Sequence, residues 1–364
     1  MQKSSPRTDE ARRRLVEWIV QGRWEPGDRL PTHVELLEEL GVSRSTLQSA
    51  LGILKEEGFV RTRRRSGSFV AEHPPHLFHY ALAFPQSRER SRENAFHRRL
   101  AEMAGRISRE EEDRQIRTFY EINPHADSAH YRRVLEDARH HRIAGLVLVM
   151  EPEQVRRTPL VREVEVPVVV VGKPTKVAGL LHVNLDTDHY LEKALDYLKK
   201  RGRERIALLT HAGLADEVET FERCVEERGM TTHPWWMQIT GLEAAAYVAN
   251  TAHLLMKCEE PARPDGLLIR DDNLVDSAIV GLSAAGMRIG RDLDVVAHAN
   301  FPVQEESLAP VRRIGYDARQ IIRRALELID EANADEEVPP VTHVRAYMEE
   351  ELEPVSEPIP AATI

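Results

Sequence analysis

The sequence predicts an α/β protein in two parts: a small helical head ending in a basic hairpin, then a long region of parallel sheets covered by helices. Three observations carry this. Residues 29–70, RLPTHVELLEELGVSRSTLQSALGILKEEGFVRTRRRSGSFV, hold two short helical stretches broken by Gly41 and Ser43, followed by an arginine-rich turn. Beyond residue 76, continuous apolar runs such as 145–150 and 166–171 alternate with amphipathic stretches, the pattern of strands buried on both faces. That rhythm runs through twice, which points to two lobes.

The head begins with a helix over residues 8–21, where Ala11, Leu15, Trp18 and Ile19 share one face and Arg12, Arg13 and Arg14 lie beside it. Trp18 and Trp24 are expected to be core rather than stacking platforms. Thr32 precedes the apolar period Val34, Leu36, Leu37, Leu40 and caps a second helix, with an incomplete capping box over 33–35. Gly41 ends that helix. Ser43 then caps a third, which carries Leu47, Leu51 and Leu54 inward and leaves Arg44, Ser45, Thr46, Gln48 and Ser49 at or near its exposed N-terminal end. Helix, tight turn and helix, with small polar and basic groups there, is how a recognition helix meets base edges. Gly58 closes the third helix, and Phe59 and Val60 start a strand. Arg61, Arg63, Arg64 and Arg65 lead into Ser66, Gly67 and Ser68 before Phe69 and Val70 return. Such a hairpin suits a wing lying along phosphate or in a minor groove. A run of charge alone is as readily plain solvated surface; the two helices ahead of it turn the reading toward DNA.

Residues 22–70 resemble the winged helix-turn-helix of the GntR family of bacterial transcription regulators. The resemblance rests on Gly22, Pro26-Gly27-Asp28-Arg29-Leu30-Pro31, Val42-Ser43-Arg44-Ser45-Thr46-Leu47, Ala50-Leu51 and Gly67-Ser68-Phe69-Val70. The candidate DNA-binding residues are Arg29, Thr32, Ser43, Arg44, Thr46, Gln48, Arg61, Arg63, Arg64, Arg65 and Gly67. The resemblance implies that Ser43, Arg44 and Thr46 touch backbone and groove, while Gly67 lets the wing tip approach the duplex. The family usually has arginine where this chain has Val34 and Gln48; Gln48 suits an adenine edge instead.

Charge supports a local DNA face. The net charge is −10 over 364 residues, but residues 1–72 hold 13 Lys/Arg against 11 Asp/Glu, residues 73–330 hold 36 against 40, and residues 331–364 hold 1 against 9. Positive potential is thus confined to the head, and phosphate would repel the remainder. The chain starts with a polar segment and has no apolar run of about 18 residues, so neither export nor a membrane span is expected. Cys224 and Cys258 are read as free thiols, and the protein is expected in the cytoplasm.

Residues 72–76, with His73, Pro74 and Pro75, read as a stiff extended linker. Strands are expected at 77–84, 116–120, 145–150 and 166–171, then at 205–209, 235–239, 266–269 and 293–297. Helices are expected at 91–112, from about 128, and at 190–200, 215–228, 242–257, 273–285 and 317–330. This region resembles the LacI/GalR type of effector domain, a periplasmic-binding-protein-like fold. The marks are Ala144 to Val149, Val166 to Pro174, Val183-Asn184-Leu185-Asp186, Lys200 to Ala207, Arg270-Asp271-Asp272-Asn273 and Gly286 to Val296. A GntR-type head on such a domain looks like the arabinose repressor group. The resemblance implies a homodimer that sets two winged helices on a pseudo-palindromic double-stranded operator and responds to a small-molecule effector through unequal affinity for two geometries.

The usual sugar anchors are thinned. Glu217 stands where the family places an arginine, and Ala299 where it places an aspartate; only Asp272 is in an expected acidic position. Three readings stay open. A more cationic ligand is accepted by Glu217 and Asp272; a sugar is held by Asp186, His211 or His298 at strand ends; or the domain has no effector and serves dimerisation. The candidate effector-binding residues are therefore Asp186, His211, Glu217, Asp272 and His298. No HExxH, nucleophile elbow or Gly-rich phosphate loop occurs, so no enzyme, cofactor or metal is expected. A solute-binding protein without regulation of transcription is the remaining alternative. The expected domains are 1–71, the winged helix-turn-helix; 72–76, the linker; 77–338, the two-lobed effector-binding and dimerisation domain; and 339–364, an acidic Pro-rich tail, with a short ordered piece around 341–348 left open.

Overall fold

In the computed structural model, which describes residues 5–123, 128–241, 245–258, 262–303, 307 and 309–352, the head is three helices and a hairpin. α1 (Pro6–Val20) starts at Ser5, whose hydroxyl accepts the Thr8 amide, with Pro6 in the first turn, where a missing N–H costs nothing. α2 (His33–Leu40) starts at Thr32, and its capping box is complete: the Thr32 hydroxyl accepts the Glu35 amide and the Glu35 carboxylate accepts the Thr32 amide. The expectation of an incomplete box is corrected, because Glu35 occupies the third helical position that the motif requires. Gly41, at φ 66°, caps α2 in the left-handed region. α3 (Arg44–Glu56) follows from Ser43.

The three helices share a core. Ala11, Leu15, Val16 and Ile19 pack with Leu36, Leu40, Leu47, Ala50, Leu51 and Leu54, and with Phe59, Val60 and Val70 of the hairpin. Val34 does not join them. It is 65% exposed, since the Leu36–Leu40 spacing that defines the inner face of α2 turns position 34 outward. β1 (Val60–Arg63) pairs antiparallel with β2 (Gly67–Val70), Arg63 opposite Gly67. Trp18 and Trp24 meet edge to face, ring centres 5.7 Å apart, with the Arg23 guanidinium over both rings. Both indoles are half-buried packing at the edge of the head.

Two compact units make up the chain. One takes in Met1–Glu89, Met103–Val183 and Arg323–Val341; the other takes in Arg90–Glu102, Asn184–Ile322 and the residues from Thr342. After α4 (Pro75–Phe78), the first unit builds on β3 (His79–Ala83), β4 (Gln115–Phe119), β5 (Gly145–Val149), β6 (Val168–Val171) and β7 (Leu180–Leu185), all parallel, with β3 between β4 and β5. Its helices are α5 (Arg88–Glu93), α6 (Ala95–Glu110), α7 (Ala129–Arg139), α8 (Pro152–Arg157) and α9 (Leu160–Glu163). α5 and α6 each run across the division between the units.

The second unit repeats the plan. α10 (Thr187–Lys200) leads to β8 (Ile206–His211), α11 (Val218–Glu227), β9 (Met237–Thr240), α12 (Ala245–Leu255), β10 (Gly266–Ile269), α13 (Asp272–Ala284), β11 (Asp294–Phe301) and β12 (Arg312–Asp317). α14 (Ala318–Asn333) precedes β13 (Val341–Val344) and β14 (Tyr347–Met348). The sheet orders are β13-β7-β6-β5-β3-β4 and β14-β12-β11-β10-β8-β9. Every residue of β5, β6, β10 and β11 is buried, as strands covered on both faces require.

The chain end differs from a free tail beginning at 339. β13 lies beside β7, with the His182 amide donating to the Pro340 carbonyl and the Asp186 amide to the Val344 carbonyl, both at 2.9 Å. β14 pairs antiparallel with β12. The Pro-rich residues 353–364 lie outside the described residues. The linker is also shorter than expected, since Pro75 already starts the helical turn α4. Among the described residues no helix is long and apolar enough to cross a membrane.

Candidate nucleic-acid interface and effector site

α3 turns Leu47 and Ala50 into the core and leaves Ser43, Arg44, Gln48 and Ser49 exposed. Ser43 is occupied: its Oγ accepts the Thr46 amide at 3.2 Å and lies 2.9 Å from Thr46 Oγ1 and 3.0 Å from Ser45 Oγ. Thr32 is similarly committed, its hydroxyl donating to Glu35 at 2.8 Å. Both residues therefore act first as caps, and the capped helix ends present free amides and a partial positive charge.

Arg29 is drawn to the wing. Its backbone bridges to Phe69, and the Leu30 amide donates to the Ser68 carbonyl at 2.9 Å. The Arg29 guanidinium crosses Gly67, where a Cβ would stand 3.3 Å from Nε; Gly67 has φ 110°. Glycine here thus makes room for Arg29. Arg65 closes the wing turn at φ 64°, a left-handed position uncommon for a side chain of its size.

The four wing arginines are not equivalent. Arg61 is bonded to the Glu72 carboxylate, and Arg63 lies 3.7 Å from the same carboxylate with its guanidinium 5.1 Å from the Phe69 ring. The hydrogen bond and charge of Arg61 hold the Glu72 carboxyl below its usual range. Arg64 and Arg65 have no partner among the described residues. Sequence reasoning took Glu72 as the start of a linker; the hairpin carries it back past Phe59, whose carbonyl accepts the Ala71 amide at 2.9 Å.

In the second unit β9 and β10 flank β8 on opposite sides, so the strand order reverses there. Ligands of open parallel sheets bind at the carboxyl ends of the strands beside such a reversal. The five candidate effector residues gather along this edge. His211 ends β8, Glu217 precedes α11, Asp272 opens α13, His298 lies in β11 and Asp186 caps α10.

Most of them are engaged by neighbours. Arg270, which the sequence reading did not nominate, is ion-paired with Glu217 at 3.0 Å and lies 4.1 Å over the Tyr190 ring, with Nη1 3.4 Å from His298 Nδ1. Tyr190 stacks on Tyr316, and His298 tilts against both. The Thr187 hydroxyl donates to Glu217 at 3.3 Å, and His211 Nε2 is 3.2 Å from Asp271 Oδ2. The Asp186 carboxylate accepts the His189 amide at 3.0 Å, and its carbonyl accepts the Tyr316 hydroxyl at 3.1 Å.

Burial sets the charges. It works to lower the Arg270 pKa, but the Glu217 carboxylate overcomes it and the guanidinium is held above its usual value. Burial and then Arg270 push His298 down to about 3, so the ring is neutral. Burial and then the Asp271 charge push Asp272 up to about 7, while Asn300 Nδ2 donates to it at 2.7 Å. For Asp271 burial is outweighed by the His211 contact, and its carboxyl is held low. Of the two acids expected to accept a cationic ligand, Glu217 is engaged by Arg270. Glu217 neutralises the Arg270 charge, and burial beside the Asp271 charge holds the Asp272 carboxyl well above its usual range.

Beside these pairs lies a pocket of about 370 Å³, lined among others by Asp272, Asn273, His298, Asn300, Arg98 and Arg313. Asp272 and His298 reach it; Asp186, His211 and Glu217 do not line it. The Asn273 Oδ1 accepts the Ala95 amide at 3.0 Å, Arg98 donates to the Arg92 carbonyl at 2.9 Å, and Arg313 pairs with Glu349 at 3.0 Å. The lining thus mixes the amides of Asn273 and Asn300 with three arginines, Arg98, Arg99 and Arg313, and two aspartates, Asp272 and Asp276. Among the described residues no group of three His, Cys, Asp or Glu side chains is arranged to hold a metal ion.

Residues 7–70 match the family described as bacterial regulatory proteins, gntR family, and residues 195–349 match the periplasmic binding protein-like domain. The HTH-type transcriptional repressor PurR of Aliivibrio fischeri strain MJ11 is 25% identical over 232 residues, 60% of this chain and 66% of that protein. The arabinose metabolism transcriptional repressor of Geobacillus stearothermophilus is 31% identical over 74 residues, 20% of each chain. Among solved structures, a regulatory protein of LacI family from Chloroflexus aggregans superimposes with a TM-score of 0.61 at 15% identity, over 74% of this chain and 96% of its own. A transcription regulator-like protein from Staphylococcus haemolyticus gives 0.58 at 15% identity, over 78% and 99%. At that identity the likeness is one of fold. This chain joins a gntR-family helix-turn-helix head to a periplasmic-binding-protein-like domain.

Proposed function

We propose that this chain is a sequence-specific transcription regulator, a repressor, that binds a pseudo-palindromic duplex operator as a cytoplasmic homodimer and is modulated by a small polar molecule. One observation carries the reading. The exposed residues Arg44 and Gln48 on α3, with an arginine wing beside them, share a chain with a domain that holds a polar pocket of about 370 Å³. The names of the relatives above, PurR and the arabinose repressor, favour repression. A sugar or comparable polar metabolite suits the pocket, since its lining sets the amides of Asn273 and Asn300 and the His298 ring among three arginines and two aspartates that can take hydroxyl groups.

A homodimer is supported by Tyr247 and Leu254, seven residues apart on one face of α12 and 70% and 69% exposed, and by Val280 of the adjoining α13. Large apolar side chains grouped on a surface mark interaction sites. Selecting duplexes from a random pool with the full chain tests the regulator reading: enrichment of a two-fold symmetric site is expected, and binding without sequence preference would overturn it. A second reading, a body without effector, is favoured by the Arg270–Glu217 pair at the reversal point. A thermal-shift screen over neutral sugars, sugar acids and amines separates the two, because a body without an effector shifts with none.

A further inference from the structure

One carboxylate of the head is shared between an arginine of the head and an arginine of the body. Glu57 is the C-cap of α3; it takes Arg12 of α1 at 3.0 Å and Arg142 of the body at 3.2 Å. Arg142, between α7 and β5, is held from behind by Asp137 at 2.8 Å and Glu136 at 3.1 Å. Asp137 also meets Arg117 at 3.4 Å and Arg133 at 3.2 Å. The side chains of Arg12, Glu57, Arg142 and Asp137 are 9, 13, 11 and 0% exposed. A nearly continuous buried line of charge therefore runs from α1 and α3 to the first sheet.

The helix itself gives no reason for an acid at this point. A helix C-terminus carries partial negative charge and favours lysine or arginine. A carboxylate placed against that dipole and removed from water depends on its cationic partners. The other joints between head and body are less directional: Pro75 packs 3.6 Å from where a Gly58 Cβ would be, and His76 stacks on Phe59 at 5.8 Å. Two guanidinium groups on one carboxylate constrain angle as well as distance.

We propose that Glu57 is a positioning residue that locks α3 onto the first lobe, so that movement of Arg142 reaches the helix through this ion pair and not through the connector alone. Its consequence for operator choice rests on the DNA-binding reading above; the lock itself does not.

The experiment is hydrogen exchange on the full chain without DNA, comparing wild type, Glu57→Gln, Arg142→Met and the double variant. Each single change is expected to speed exchange about tenfold in both 50–57 and 137–146, and the double change to add little, as two members of one interaction behave. Effects confined to the mutated segment, or adding in the double variant, would overturn the lock. Should Glu57→Gln unfold the head, Arg142→Lys keeps the charge, loses the fork and is read in the same way. A second arm uses a duplex selected by the wild-type chain, with the half-site spacing lengthened. The wild type is expected to lose about tenfold more affinity than Glu57→Gln, and equal losses would count against the lock. If no duplex is selected, the regulator reading fails while the exchange result still decides this one.

Discussion

Arg270 and Glu217 form a buried ion pair at the carboxyl edge of the second sheet, 3.0 Å apart, with 6% and 9% of their side chains exposed. The arginine is roofed by Tyr190 at 4.1 Å. Such a pair is held by its own geometry, and each partner is a liability without the other.

The first prediction follows. Arg270→Met strands a buried carboxylate and is expected to cost about 3–5 kcal/mol, and Glu217→Leu a similar amount; the double variant should recover most of the loss. Urea unfolding of the three proteins checks this. A near-neutral single variant would mean that the site rehydrates and is not closed.

The wing gives a second prediction. Glu72 restrains Arg61 and Arg63, so Glu72→Gln should tighten binding to any duplex and steepen the salt dependence by about one unit of log K per log salt for each arginine released to phosphate. Fluorescence anisotropy at several salt concentrations checks it, and an unchanged slope would show that these arginines stay off the backbone.

Arg64 and Gln48 should separate affinity from specificity. Arg64→Glu is expected to weaken all sequences alike. Gln48→Ala should cost about 1–3 kcal/mol on the selected site and little on random DNA. Competition between selected and scrambled duplexes reads both, and a uniform loss for Gln48→Ala would remove its assigned role.

Acid should destabilise the fold. Burial pushes His76, His79 and His97 down to about 4 and His298 to about 3, from an ordinary 6.5. Their contribution is complete above pH 6.5 and is lost as pH falls through the range to 4, because the unfolded chain takes up protons first. Asp272, raised from 3.8 to about 7, works the other way: its contribution is present below 3.8 and lost as pH rises to 7. Four groups against one leave a net loss on acidification from pH 7 to 4.5. Asp272→Asn should make that loss steeper; denaturant titrations across the range measure it, and stability rising toward pH 4.5 would contradict the assignment.

The head was legible in the sequence because its signals are local. Ser43, Gly41 and the Arg63–Gly67 turn each act within a few residues of chain, and the fully buried strands β5, β6 and β10 announce themselves as apolar runs. β7 and β12 were missed as strands because His182, Asn184 and Arg312-Arg313 break the apolar pattern. Of the candidate effector site, the sequence offered five residues at or near strand ends and helix starts, but none of the pairings those residues make. Arg270 with Glu217 and His211 with Asp271 bring together residues far apart in the chain, which only the closed sheet makes neighbours, and Arg61 with Glu72 meets across the hairpin. Val34 was misread because an apolar residue beside an apolar face invites inclusion, although helical phase turns it outward.

The strands β13 and β14 are the last pieces of both sheets to be made. The core of the head is complete by Val70, whereas β7 and β12 wait for residues 341–348 to cover them. At the ribosome, then, the head can close early while both lobes still carry bare strand edges with unanswered N–H and C=O groups. A message truncated before residue 341 would yield a finished head on two unfinished lobes, a product suited to edge-to-edge association and to proteolytic clearance.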